Sequence, residues 1–371
     1  MSTLILILSV YGIINIYIAS WFWRNLAENE ILRPVICLAI IVLAIGFPIF
    51  AKLNGSSALE IALVRITSFW VVIFIYLFLM VLILDILSIF KYKFNITYVL
   101  ATMFCLLFII LLTGWINARN PVLNTFNLNI KTEKSVLEQM PQKTFTIAVF
   151  SDTHLGINVP TESLDRAVNL VNGEKLDAVL FLGDIIDDHV LVETEEINKS
   201  ILKLNPNFGT WGILGNHEYI SGEIQTSINL IEKSGIKLLR DNWTILGNSI
   251  VLVGRDEYSS FIYSNTKRSS LKEILKTNNT NLPIIILDHQ PRNLAEAEEI
   301  NAVLQLSGHT HNGQFWPINL IVAQIFENPY GHSVRGNTNY IVSVGTMTWG
   351  PPVRNTARPE VILLKINFIS Q

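Results

Sequence analysis

Cysteine is nearly absent from this chain: Cys37 and Cys105 are the only two in 371 residues. That excludes a disulfide framework and a cysteine-ligated metal centre, and both thiols lie in apolar stretches where packing accounts for them. Charge is sparse as well, at 15% of residues, and there is no basic excess, with 27 Lys and Arg against 30 Asp and Glu. The net charge of −3 divides unevenly, into +2 over residues 1–118 and −5 over the remainder. A mildly acidic remainder carries no electrostatic footprint for nucleic acid, so no nucleic-acid partner is expected. Internal repeats and low-complexity tracts are also missing.

What is abundant is apolar: half of all residues, with a mean hydropathy of +0.41. Four runs, at residues 4–22, 35–51, 66–90 and 98–116, match the roughly 20 apolar residues that a bilayer core demands. Trp21, Trp23 and Tyr98 near their ends fit interfacial belts. One soluble core would not use four such runs in succession, so residues 1–118 are expected to form a four-helix transmembrane anchor and residues 119–371 a separate domain. Pro48 is expected to break the second run. The first run lacks a basic flank and a small-x-small cleavage site, and is expected to stay as a retained helix. Asp85, the one charge in the third run, is expected at a helix end near the interface. Arg24, Arg33, Lys91 and Lys93 fall on one side of the spans, and Lys52, Arg65 and Arg119 on the other. That count, with the uncharged start, favours a multi-pass protein whose second domain is extracytoplasmic, in the cytoplasmic membrane if the source is bacterial; Lys131 and Lys134 pull the other way.

Beyond residue 119 the pattern changes. Val122, Phe126, Leu128 and Ile130 alternate as in an edge strand, and polar residues 131–143 read as a turn. Leu164, Ala167, Val168 and Val171 share one helix face that Gly173 would end, and Ile228, Ile231 and Gly235 repeat the signal. Asn-rich residues 277–281 read as a loop. Strands alternating with helices, then several strands after residue 240, give an α/β class: a two-sheet sandwich flanked by helices.

Five apolar runs in this part end in metal-competent residues. Residues 146–149 lead to Asp152 and His154, and 178–181 to Gly183 and Asp184. Residues 211–214 lead to Gly215-Asn216-His217-Glu218, 284–287 to Asp288-His289, and 303–306 to Gly308-His309-Thr310-His311. Residues two apart on an extended segment point the same way, so Asp152 and His154 can serve one ion. Strand tails gathered at one edge of a sheet are a common way to build a site. The chain has seven histidines, and five fall in these tails; His189 and His332 are left as ordinary polar residues. One such cluster is equally well read as loop polarity, but five in a row are not. The mixed carboxylate, imidazole and amide donors suit two divalent ions, Mn first, with Fe, Zn or Co also admitted, and disfavour Ca.

The ordered set Asp152-x-His154, Gly183-Asp184, Gly215-Asn216-His217-Glu218, His289 and Gly308-His309-x-His311 resembles the calcineurin-like metallophosphoesterases. Residues Leu306 to Gln314, Val342 to Gly345, Trp349 to Arg354 and Pro359-Glu360 resemble its membrane-linked branch. That branch includes the UDP-2,3-diacylglucosamine pyrophosphatase-like enzymes and transmembrane proteins with a metallophosphoesterase domain. The resemblance implies a two-sheet α/β/β/α metallophosphoesterase sandwich over about residues 121–367. It implies Asp152, His154 and His311 on one metal, Asn216, His289 and His309 on the other, and Asp184 between them. His217 would lie over the scissile phosphate as a general acid and not as a ligand. Asn312 departs from the branch, which often has Gly there.

Two ions about 3.5–4 Å apart can share a bridging hydroxide and clamp an in-line displacement at phosphorus. Asp187 and Glu218 are expected to orient ligand imidazoles. Arg354, following the rigid Gly350-Pro351-Pro352, is expected to bind a substrate phosphate bidentately, with Arg358 as the alternate and solvated loop arginines as the plain reading. The function these observations lead to is hydrolysis of a phosphodiester or pyrophosphate by a membrane-anchored enzyme, on a small-molecule or lipid-linked substrate. A phosphoprotein or phosphomonoester phosphatase is one alternative; a catalytically silent membrane sensor or scaffold is another. The lipid bilayer is the expected partner.

Overall fold

Nothing inside the first four apolar runs ends a helix, and each becomes one. The computed structural model describes residues 2–53, 55–92, 94–187, 194–265 and 267–371, with side chains from residue 5 onward. Helix α1 covers Ser2–Asn25, α2 Leu32–Phe50, α3 Ala58–Ile89 and α4 Ile96–Ala118. Their most apolar windows have mean hydropathies of 1.9 to 2.9, and all four are long and apolar enough to cross a membrane. The start of α3 is fixed by Ser57, whose side chain accepts a bond from the Glu60 N–H. Pro48 does not break α2 as expected. It sits in the last turn, where its ring removes a single backbone bond. The carbonyl that this leaves without its helical donor, that of Ala44, accepts instead from the Tyr11 hydroxyl at 3.0 Å. Asp85 lies near the end of α3 and accepts from Tyr17 Oη at 2.8 Å, with Arg24 at 3.5 Å. Cys37 and Cys105 are free thiols. Lys93 lies outside the described residues.

The chain divides into two compact units, Met1–Trp115 and Ile116–Gln371. The second unit holds twelve strands among the described residues: β1 Val122–Thr132, β2 Thr144–Phe150, β3 Ala178–Leu182, β4 Thr210–Ile213, β5 Lys237–Leu238, β6 Asn242–Leu246, β7 Ile250–Gly254, β8 Ile284–Leu287, β9 Leu304–Ser307, β10 Gly331–Arg335, β11 Thr338–Val342 and β12 Glu360–Ser370. They form two six-stranded sheets, ordered β1-β12-β2-β3-β4-β5 and β10-β11-β9-β8-β7-β6. Within the first sheet β2, β3, β4 and β5 run parallel, and within the second β7, β8, β9 and β11 do. Strand β1 lies at an edge, as its alternation indicated.

Parallel strands covered on both faces read as continuous apolar runs, and the period of two assigns each residue to a layer. Ile147, Leu180, Leu182 and Ile213 of the first sheet meet Ile250, Leu252, Ile285, Leu287, Leu304 and Leu306 of the second in the central core. The alternate residues Ala148, Phe150, Val179 and Phe181 face away, onto helices that supply Leu164, Val168, Ile197, Ile228 and Ile231. Val251, Val253 and Ile286 do the same on the far side, against Leu271, Leu294 and Ala297. This is the expected sandwich, with helices outside two sheets. Leu164, Ala167 and Val168 are buried in the helix Glu162–Asn169, which ends ahead of Gly173. Residues 131–143 differ from expectation: β1 runs on to Thr132, and Lys134–Gln139 is a short helix because Val136 is buried there.

Strand β12 reverses direction against β2, pairing Ile362 with Val149, while β1 runs parallel to β12 with Val122 opposite Glu360. The end of β2, the start of β12 and the start of β1 therefore share one edge of the first sheet. The metal-competent tails collect at that edge.

Candidate metal centre

The seven predicted donors come together at the strand ends. Asp152, His154 and His311 bring one ligand atom each within 4.8 Å of one another; so do Asp184, His289 and His309, and so do His154, Asp184 and His217. The groups interlock through His154 and Asp184. Asp152, His154, Asp184 and His289 are at most 2% exposed. Asp184 Oδ2 lies 3.2 Å from His289 Nε2 and 3.7 Å from His154 Nε2. His154 and His311 face each other with their Nε2 atoms 3.1 Å apart. Asn216 Oδ1 stands 3.3 Å from His289 Nε2.

The backbone is bent to make this possible. Asp152, His154, Asp184, His309 and His311 all have positive φ, between 41° and 70°. Non-glycine residues rarely adopt that region, and it persists where surrounding structure enforces it, most often at functional sites. Bonds from Asp152 N to Gly183 O at 3.1 Å and from His154 N to Asp184 O at 3.0 Å tie the first two turns together. Gly308 N to His289 O at 2.9 Å ties the turns of the second sheet. Two glycines permit the approach. A Cβ on Gly215 would collide with Asp184, and one on Gly308 with Ser151 and Asp152. Asn312, the departure from the resembling branch, has φ 47° and ψ 39°. A glycine suits that position, and Asn is among the few other residues that enter it readily.

The supporting groups are only partly those expected. Asp187 Oδ1 lies 2.9 Å from His217 Nδ1 and 3.9 Å from His154 Nδ1, so it directly positions the His217 ring. Among the described residues Glu218 has no hydrogen bond to an imidazole. Its two oxygens accept the backbone N–H groups of Asp184, Ile185, Ile186 and Gly215 at 2.7 to 3.1 Å, so it fixes the turn that carries Asp184. Asp288 was legible only as a neighbour of His289, and it is buried between Arg255 at 3.3 Å and Arg268 at 2.9 Å. Trp349, also missed, places its ring 6.1 Å from that of His217 and is half exposed at the mouth. His332 lies apart from the cluster, with Nε2 2.9 Å from Asn339 Oδ1. His189 lies outside the described residues.

Both arginines correct the expectation of phosphate contact. Arg354 is 0% exposed. Its guanidinium donates to the carbonyls of Gly345, Met347 and His311 at 3.2, 2.9 and 3.0 Å, and to that of Val344. A guanidinium with that many backbone acceptors holds the loop and the His311 turn together. Burial lowers its pKa to about 10, so it stays charged at neutral pH. Arg358 donates through Nε and Nη2 to the carbonyl of Asn120, at 3.1 and 2.7 Å, pinning the entry to β1.

Charge in the cluster follows from burial. Desolvation lowers His309 to about 3, reinforced by the His289 charge, and lowers His311 well below the ordinary range, reinforced by His154. Both are neutral donors near pH 7. Burial acts the same way on His289, but the carboxylates of Asp184 and Asp152 prevail and raise it well above the ordinary range. His289 Nδ1 lies 2.7 Å from the Leu182 carbonyl, which can only accept, so Nδ1 carries a proton and Nε2 faces Asp184. Asp184 is held well below the carboxylate range against the effect of burial, by His289 and His217. Among the described residues, buried His154 Nδ1 and His311 Nδ1 have no hydrogen-bond partner. Paired imidazole nitrogens facing one another among buried carboxylates fit divalent cations.

Because Arg354 ties the 344–347 loop to the His311 turn, Arg354→Ala is expected to cost roughly 3 kcal/mol of stability. It should lower the unfolding midpoint and the metal content together. A raised KM with both unchanged would instead restore the phosphate-binding role.

Comparisons with known proteins agree with this centre. The family model for calcineurin-like phosphoesterases matches residues 145–313. An uncharacterised metallophosphoesterase of Aquifex aeolicus is 30% identical over 248 residues, covering 66% of this chain and 94% of that protein. One from Helicobacter pylori is 34% identical over 236 residues, covering 60% of each. A transmembrane protein with metallophosphoesterase domain from Bos taurus is 31% identical over 241 residues, covering 59% of this chain and 52% of that one. The match thus spans less than two thirds of the latter two. With its donor cluster on the expected sandwich, the chain belongs to the calcineurin-like metallophosphoesterases and is a metal-dependent phosphoester hydrolase.

Proposed function

We propose that this protein is a membrane-anchored, dinuclear phosphohydrolase that cleaves a phosphodiester or pyrophosphate presented at or near a bilayer. The observation that carries it is that the donor triads Asp152-His154-His311 and Asp184-His289-His309 are joined by a third group in which His154 and Asp184 meet His217. Asp152, His154 and His311 would hold one ion and Asn216, His289 and His309 the other, with Asp184 shared. Bound there, two divalent ions, Mn first, would supply Lewis acidity toward a phosphoryl oxygen and water ionised near pH 7. The chain's own residues do the rest. Glu218 keeps Asp184 in place through the backbone. Asp187 is held ionised, well below the carboxylate range against burial, by the His154 and His217 rings beside it. It fixes His217 through Nδ1, so the proton for the leaving oxygen is carried on Nε2. His217 N also donates to Asp184 Oδ1 at 2.9 Å, which ties the acid to the shared carboxylate.

The four apolar helices and the likeness to transmembrane metallophosphoesterases support the anchored reading. The resemblance to UDP-2,3-diacylglucosamine pyrophosphatase-like enzymes favours a lipid-linked substrate. The excess of basic residues in the two loops on one side of the spans favours a catalytic unit outside the cytoplasm.

Two outcomes test this. His217→Ala is expected to keep its metal and lose about 10²–10⁴-fold in turnover; loss of metal together with activity would make His217 a ligand. Metal affinity is expected to fall with acid, because the proton that raised His289 retains must leave before Nε2 can ligate. One released proton means about tenfold weaker binding per pH unit below neutrality. Isothermal titration with Mn between pH 6 and 8 reads this slope, and a flat affinity would contradict it.

A further inference from the structure

An exposed apolar segment of the catalytic unit lies beside its metal centre. From Gln314 to Phe326 the sequence carries no charged residue. This segment forms the helix Ile318–Ile325, none of whose residues is buried. Leu320, Ile321 and Ile325 are each about 55% exposed, and Trp316, Tyr330 and Trp349 about half exposed. Single exposed apolar residues need no explanation, but a whole uncharged helix flanked by tryptophans does.

The helix is rigidly joined to the site. It packs on the His311 turn so closely that a Cβ on Gly313 would collide with Ile318 and Asn319. Gln314 Nε2 donates to the carbonyls of Trp349 and Pro351, at 2.9 and 3.0 Å. The exposed Trp349 at the mouth is therefore locked to the start of the apolar segment.

The same connections lead to the point where the chain enters this unit. Trp316 N donates to Asn355 Oδ1 at 3.1 Å. Three residues on, Arg358 holds the carbonyl of Asn120, and Val122 N donates to Pro359 O at 2.8 Å. Asn120 lies two residues beyond α4, an uncharged helix whose apolar window has a mean hydropathy of 2.5. The apolar segment, the loop of Trp349 and the chain entry at Asn120 are thus joined within the catalytic unit.

We infer that the helix Ile318–Ile325, with Trp316 and Trp349, is a second bilayer-contact surface. An uncharged apolar helix edged by Trp and Tyr suits the interface between headgroups and acyl chains. The bonded path to Asn120, two residues past a candidate membrane span in the chain, selects lipid as its occupant over a soluble protein. The consequence deepens the proposed phosphohydrolase reading and rests on it: with the mouth held at the interface, the phosphate attacked belongs to an amphiphile whose apolar part stays in the bilayer.

The test uses the full chain in phosphatidylcholine nanodiscs, with Cys37→Ser and Cys105→Ser removing the native thiols. A fluorophore is attached through Ile321→Cys, or through Glu232→Cys on another surface helix. The label at 321 is expected to be quenched by nitroxide-bearing lipid and shielded from aqueous iodide, with the reverse at 232. Iodide quenching at 321 equal to that at 232 would overturn the inference. So would protection at 321 from both quenchers, which would mean a protein partner or a second copy covers the helix. This readout needs no turnover, so it fails separately from the phosphohydrolase reading. Leu320→Asp with Ile321→Asp is further expected to lower the ratio of turnover on a vesicle-embedded phosphodiester to that on bis-p-nitrophenyl phosphate by at least about tenfold. An unchanged ratio would remove the consequence for substrate.

Discussion

One buried carboxylate, Asp184, is what the centre depends on. It is 2% exposed and lies within 4 Å of His154 and His289. A carboxylate taken out of water needs a compensating charge. Without a metal, His289 supplies it by keeping a proton it would otherwise lose on burial. Divalent cations held by these donors would take the place of that proton. The surrounding structure enforces this arrangement. Glu218 holds the Asp184 turn by four backbone bonds, Gly215 leaves room for the carboxylate, and left-handed backbone at five of the donors aims the side chains inward. The strain and the buried charge both make sense around cations and would be costly without them.

The architecture and the donors were legible because their signals are local. An apolar run ending in a polar turn can be read from five or six residues, and five such runs name the strands that build the site. Alternation placed β1 at an edge, and the spacing of Leu164, Ala167 and Val168 marked a helix face. What could not be read depends on distant contacts. Arg354 looks like a phosphate ligand in a rigid loop, but its acceptors are carbonyls from 7 to 43 residues away. Glu218 looks like a partner for an imidazole, and its partners are mostly amides more than 30 residues away. Pro48 looks like a break, yet the carbonyl it deprives of a helical bond finds Tyr11 on another helix. In each case the residue type was informative and the partner was not.

The antiparallel return of β12 brings the loop of Trp349 and Arg354 from the second sheet back to the chain entry at Asn120. That return strand brings the loop of the exposed Trp349 and the chain entry at Asn120 to the same end of the first sheet. A fold in which β12 ran the other way would separate them by the length of an eleven-residue strand.

The central claim is that two ions share Asp184. The most direct test is metal content by mass spectrometry beside Mn-dependent hydrolysis of bis-p-nitrophenyl phosphate, for the parent protein and for Asn216→Ala. The account requires two ions per chain and turnover in the parent, and loss of one ion together with turnover in the variant. A parent active with a single ion, or a variant that keeps both ions and full activity, would contradict it.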